Sequence, residues 1–335
     1  MPQLSPELQA ALRARAQVVK DKLAGSGGGD WLPRWDLAGK NAIVEPGREI
    51  VVRFLPRWDF AQKWIAGGKI NPAYKEGPIF FEAIEHWYTS PDGKRHREWC
   101  PKTWGGDEAC PIHEAWEEVR ASKAPADKEL AKDIKPTDVY LFNALIASPA
   151  GWVVDDAGLA DIRYMGCPGT VFLATINIMT GGENIEFARG DVSDPREGYN
   201  LKLSRPVAQG DRWKVDPAPK PSMLFTESQK PAFSKWWERL IDLPAMVQQE
   251  TKEYDALYLA FHGVAPDSGA SAPTRSAPAA ASPDGPDTPG GEGAPPTDPF
   301  DGLGGPGDIE MPGVPAPAAG PNRPAGPLPR RPGRR

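Results

Sequence analysis

The stretch from His86 to His113 constrains the fold more than any other part of this chain. It reads HWYTSPDGKRHREWCPKTWGGDEACPIH and holds three of the four histidines and two of the three cysteines. Thirteen residues separate His86 from Cys100, nine separate Cys100 from Cys110, and two separate Cys110 from His113. Thiolate and imidazole donors at this spacing suggest a tetrahedral zinc site whose four positions are all filled by protein. The fold must therefore bring those four side chains to one point.

A hairpin followed by a helix would do so. Residues 79–88 and 94–100 read as two strands about the turn Ser90-Pro-Asp-Gly93, which puts His86 roughly across from Cys100. His96 is the poorer donor, because it lies four residues from Cys100 on one strand, about 13 Å away at strand rise. Cys110-Pro-Ile-His113 reads as a knuckle feeding a helix over residues 111–121, with proline in its first turn. Two ordinary cysteines and some surface histidines would explain the spacing less well. A redox pair needs adjacent cysteines, and a catalytic zinc needs an open position that four protein ligands do not leave. Cys167, in Met-Gly-Cys-Pro-Gly, is far from the group and reads as a small buried residue. The set implies one structural Zn2+ held by His86, Cys100, Cys110 and His113.

Three regions are expected in the chain of 335 residues. Residues 1–29 form a basic helical arm and a glycine-rich joint. Ser5 caps the helix, Pro6 and Glu7 suit its first turn, and the run at 25–29 ends it. Leu8, Leu12, Val19 and Leu23 make a thin apolar stripe, with Arg13, Arg15, Lys20 and Lys22 around it. Residues 30–263 form the core, with the zinc subdomain at about 80–122. Residues 264–335 are nearly all Pro, Gly, Ala, Ser, Asp and Thr, cannot bury enough apolar surface, and read as a disordered tail with an acidic segment at 284–310.

Short apolar runs with turns between them dominate the core. Residues 49–55, 138–147 and 198–205 read as further strands; 170–179 fits a strand or a helix; 230–258 reads as one helix. The class is mainly β with peripheral helices (α+β), and an OB-type barrel is a candidate core. Three cysteines argue against a secreted disulfide scaffold. No run approaches eighteen apolar residues, and the first ten lack the order of a signal peptide. A soluble protein of a reducing cytoplasm is expected.

The formal net charge is −6, so a nucleic-acid surface would have to be a local patch. Binding of single strands asks for a basic groove with aromatic faces on which bases stack. Around the zinc segment the chain offers Trp87, Tyr88, Lys94, Arg95, Arg97, Trp99, Lys102 and Trp104. Tyr140 and Phe142 share one side of a strand; Arg163 and Tyr164, and Lys202 and Arg205, recur in others. Phe54 and Leu55 belong to the core, whereas Arg53, on the opposite face to Phe54, could reach the groove. About half of these aromatics should be core residues instead. No two-metal carboxylate cluster, HExxH or phosphate-cradling loop speaks for an enzyme.

With these residues assembled, the chain resembles the single-stranded DNA-binding protein family of T-even bacteriophages and their relatives. The likeness runs through Val51-Val-Arg-Phe-Leu-Pro56, the four zinc donors, residues 138–146, Asp194-Pro-Arg-Glu-Gly-Tyr-Asn-Leu-Lys202, a late helix and the tail. It implies an OB-type core with an inserted zinc-bearing subdomain. It implies sequence-tolerant coating of single-stranded DNA in phage replication, recombination and repair, within the cytoplasm of a bacterial host and without a membrane. It implies self-association through the arm and recruitment of replication or recombination proteins by the acidic tail. Two departures stand out: His113 replaces the usual fourth cysteine, and the tail ends on Pro-Arg-Arg-Pro-Gly-Arg-Arg335. An RNA-binding or general nucleic-acid-binding zinc module is the alternative, since sugar preference rests on 2′-hydroxyl contacts.

Overall fold

The computed structural model describes residues 4–25, 49–65, 69–105, 108–148, 151–204 and 213–266. The glycine joint, Arg205 and the tail beyond residue 266 lie outside them.

Helix α1 spans Pro6–Gly25, and the Ser5 hydroxyl accepts from the Leu8 amide at 3.2 Å, as its capping position requires. Leu4, Leu12 and Val19 are buried in the main core. Arg13 donates to the Thr180 carbonyl at 2.8 Å, Arg15 pairs with Glu82, and Lys22 reaches Asp138 at 2.6 Å. The apolar stripe and much of the basic surface are therefore engaged on the chain's own core.

Strands β1 (Glu49–Phe54), β2 (Trp64–Ile65) and β3 (Lys69–Ile70) precede the long β4 (Phe80–Thr89) and β5 (Arg95–Trp99). Helices α2 (Pro111–Ala121) and α3 (Pro125–Asp133) lead into β6 (Thr137–Ser148). Then come β7 (Gly151–Trp152), β8 (Arg163–Cys167), α4 (Gly169–Thr180), β9 (Leu201–Ser204) and β10 (Lys214–Pro217). Helices α5 (Leu243–Glu250) and α6 (Tyr254–His262) follow.

The main sheet is antiparallel and runs β10-β9-β1-β6-β4-β5. Strand β6 is its hub. Phe142 pairs with Phe80 of β4 and with Met165 of β8, while Ala144 pairs with Phe54 of β1 and Arg163 of β8. So β4 and β1 lie end to end along one edge of β6, and β8 takes the other. The molecule is mainly antiparallel sheet with several helices. Among the described residues, the pairings do not close the sheet into a barrel.

Residues 169–180 resolve the ambiguity of their apolar run as a helix. Val171, Phe172, Thr175, Ile176 and Met179 are all buried, at the spacing of one helical face. That face lies on the sheet: Phe172 stacks on Tyr140 at 4.0 Å, and Phe54 stacks on Phe142 at 4.2 Å. Each such side chain contributes about 1.5–3 kcal/mol on burial. The single helix expected over 230–258 is not formed. Short 3-10 turns at Glu227–Phe233 and Trp236–Arg239 precede α5 and α6. Pro231 lies in the first turn, and Pro244 opens α5, whose cap is Asp242 accepting from Ala245 at 3.1 Å.

Candidate metal centre and nucleic-acid interface

The hairpin β4–β5 sorts its residues onto two faces. Its register pairs Glu85 with Trp99, His86 with Glu98, Trp87 with Arg97, Tyr88 with His96 and Thr89 with Arg95. Successive side chains alternate between faces. His86 and Tyr88 therefore point one way, while Trp87, Arg95 and Arg97 point the other.

On the first face the donors of His86, Cys100 and His113 converge, with Cys110 beside His86. Cys110 caps α2, and His113 lies in its first turn. The donor atoms of His86, Cys100 and His113 lie within 4.8 Å of one another. Cys110 Sγ is 3.6 Å from His86 Nε2, and Cys100 Sγ is 3.8 Å from His113 Nδ1. A tetrahedral zinc with bonds of about 2.0–2.3 Å would hold such donors about 3.3–3.8 Å apart. His86 uses Nδ1 on the Ile134 carbonyl at 3.2 Å, which turns Nε2 toward the centre. His113 Nε2 faces Glu117 at 3.5 Å, so its Nδ1 is the inward nitrogen. These outer partners orient both rings as metal-binding histidines require.

The two thiols share a hydrogen bond. It holds Cys110 below the ordinary thiol range, with His86 adding to the effect; the same bond and burial push Cys100 above that range. A dication would remove the remaining proton. Tyr88, Ile112, Ile134 and Leu257 bury the group, with Trp116 and Phe261 packed against it. Helix α6 thus belongs to the wall around this donor group.

On the second face, basic and aromatic side chains interleave. Arg95 lies over the Trp87 ring at 5.7 Å and Arg97 over Trp99 at 4.9 Å. Glu85, pushed up to about 7 by burial, accepts from Trp87 Nε1 at 2.9 Å and stands 3.7 Å from Arg97. Arg95 is 3.4 Å from Asp133, and Lys94 pairs with Asp92 at 2.9 Å. Lys102 is half-buried just past the hairpin.

Elsewhere the expected contacts divide. Arg163 pairs with Asp161, Tyr164 is half-buried, and Lys202 pairs with Glu49 at 3.2 Å. Arg53 is not at a groove. It is 0 % exposed and its guanidinium is bound by Asn200, the Asp194 carbonyl and the Ser222 side chain and carbonyl. Both faces of β1 are covered, so pointing away from Phe54 does not mean pointing to water. Tyr88, Tyr140 and Phe142 are also 0 % exposed, and Trp99 is 4 % exposed with its Nε1 donating to Glu250 at 2.9 Å. These four are core residues rather than stacking platforms.

Sequence reasoning passed over Arg57, Trp58 and Phe81. Trp58 meets Phe81 edge-on at 6.4 Å, and Phe81 stacks on Trp104 at 5.3 Å. The signal was the Pro-Arg-Trp-Asp turn that follows β1.

Compared with known proteins, residues 49–262, well over half the chain, match a family model described as gp32 DNA binding protein like. No curated protein matches the chain.

Proposed function

The chain belongs to the gp32-like family of DNA-binding proteins, and we propose that it coats single-stranded DNA without strong sequence preference and without catalysing a reaction. One observation supports this above others: a single hairpin carries metal donors on one face and Trp87, Arg95 and Arg97 on the other. The metal face would fix the hairpin, and the open face would meet phosphates and bases. His86, Cys100, Cys110 and His113 would hold one structural Zn2+, clamping β4 and β5 to α2. Antiparallel strands around β6 would serve as the OB-type core, with residues 80–122 as its metal-bearing insert.

The other parts fit the same reading. Residues 1–29 would join neighbouring molecules on a strand, by placing α1 on the α4 face of the next core instead of its own. Residues 264–335 would form the tail, with 284–310 recruiting replication or recombination proteins and competing with DNA. The chain leaves α6 beside the hairpin tip, since a Cβ on Gly263 would meet Pro91 at 2.8 Å. Work on phage DNA in the cytoplasm of a bacterial host is the setting this implies.

The test is binding to labelled single-stranded DNA, duplex DNA and RNA in parallel at matched salt. Single-stranded DNA should bind most tightly, with affinity falling steeply as salt rises. Tighter duplex binding would overturn the reading, and tighter RNA binding would favour the alternative.

A further inference from the structure

We propose that the turn carrying Arg57 and Trp58 is a nucleobase-stacking platform, in addition to the hairpin; it rests on the single-strand reading above. The turn is locally built. Pro56 ends β1, Phe60 N donates to the Arg57 carbonyl at 2.9 Å, and Gln62 N donates to the Asp59 carbonyl at 2.9 Å. Arg57 Nε donates to Asp59 at 2.7 Å, and the guanidinium lies over the Trp58 ring at 5.6 Å. Gly77 leaves it that room, since a Cβ there would overlap Arg57 Nη1. A charged group held this firmly next to an indole fixes the ring's orientation.

The ring is not sealed. Trp58, Phe81 and Trp104 are each half-buried, in contrast to the closed Phe54–Phe142 stack beneath the same sheet. The three form one contiguous aromatic surface. Phe81 shares a face of β4 with Trp87, because both are odd-numbered positions of one strand. Ala83 and Glu85, which lie between them on that face, are buried, so this aromatic surface is separate from the Trp87 face.

The sequence supplies an independent observation. Residues 55–63 read Leu-Pro-Arg-Trp-Asp-Phe-Ala-Gln-Lys, and residues 32–40 read Leu-Pro-Arg-Trp-Asp-Leu-Ala-Gly-Lys. Seven of nine positions are identical, and the second occurrence lies outside the matched family region 49–262. One of the two changes replaces Phe60, the ring that packs on Trp236 at 5.7 Å. The Arg-Trp-Asp that presents the indole is kept. A motif needed only to pack this core would have no reason to recur where the residue anchoring it to that core has changed.

The test is photocrosslinking of the full-length protein to oligodeoxythymidine bearing 5-iododeoxyuridine, with adducts mapped by peptide mass. An adduct at Trp58 is expected. Trp58→Ala should weaken binding about tenfold, the loss typical of one stacked base, with an unchanged salt slope; Trp58→Phe should restore most of it. Adducts confined to the hairpin, or wild-type affinity in Trp58→Ala, would overturn the platform while leaving single-strand binding standing. A Trp58→Ala that loses only self-association in the absence of DNA would also overturn it, in favour of a protein contact. A wild-type protein that binds no single strand would instead remove the reading on which the platform rests.

Discussion

The two faces of the β4–β5 hairpin take alternate residues from the same two strands and do opposite things. Tyr88 and Trp87 are adjacent aromatics, yet Tyr88 is 0 % exposed among the metal donors while Trp87 is half-buried beneath Arg95. Strand alternation alone separates them. One face is stabilised by what it excludes and the other is useful for what it leaves open. Composition cannot distinguish these roles; register can.

The strongest way to break the comparison is to remove the metal face. Purified protein should hold about one zinc per chain. Replacing both Cys100 and Cys110 with Ser should abolish it and destabilise the fold by more than about 4 kcal/mol, as loss of a structural metal does. DNA binding should then fall indirectly. Stoichiometric zinc retained in that double variant would dissolve the distinction between the faces.

A sharper contrast comes from neighbouring aromatics. Tyr88→Ala should cost about 3–5 kcal/mol of stability, because a buried ring is deleted. Trp87→Ala should change stability far less and weaken single-strand binding by about 1–3 kcal/mol. Thermal melts and oligonucleotide titrations on the two variants decide it; equal stability losses would mean that the second face is also core.

How much of this was legible in sequence follows the same division. The gathering of His86, Cys100 and His113 was, because donor spacing, the Ser90–Gly93 turn and Pro111 all point to one geometry, and their donor atoms lie within 4.8 Å of one another. Strands β1, β4, β5 and β6 and helix α2 were also legible from alternation and punctuation. Burial of Tyr140 was not, because it depends on α4 laying Phe172 over it, a contact between residues 32 positions apart. Arg53 failed for a related reason: alternation predicts a face, and only tertiary packing says whether that face is wet. The broken helix at 230–258 was readable from Pro231 and Pro244 and was missed.

Two arginines extend the comparison from rings to charges. Arg53→Ala removes a guanidinium from four hydrogen bonds and should cost about 3 kcal/mol, leaving buried acceptors unmet. The salt dependence of DNA binding by its folded fraction should not move. Arg97→Ala removes the same formal charge from the open face. Its side chain is 20 % exposed beside the buried Glu85, so the variant should lower melting, though less than Arg53→Ala, and flatten the log–log salt slope by about 0.7 per lost phosphate contact. Identical salt slopes in the two variants would place Arg97 outside the DNA path.

The smallest expected effect asks how far the open surface extends. Lys202 lies on β9 beside Glu49, which it holds below the usual carboxylate range through a hydrogen bond, with Ser204 assisting. Both groups are exposed and salt screens them, so Lys202→Ala should leave melting unchanged. Its interest is in binding. If a strand crosses from the hairpin to β9, a phosphate must displace Glu49 to reach Lys202. Lys202→Ala should then flatten the salt slope, and Glu49→Ala should tighten binding by removing the competitor. If both variants bind as wild type, the strand path ends before β9, and the pair is a surface ion pair with no part in recognition.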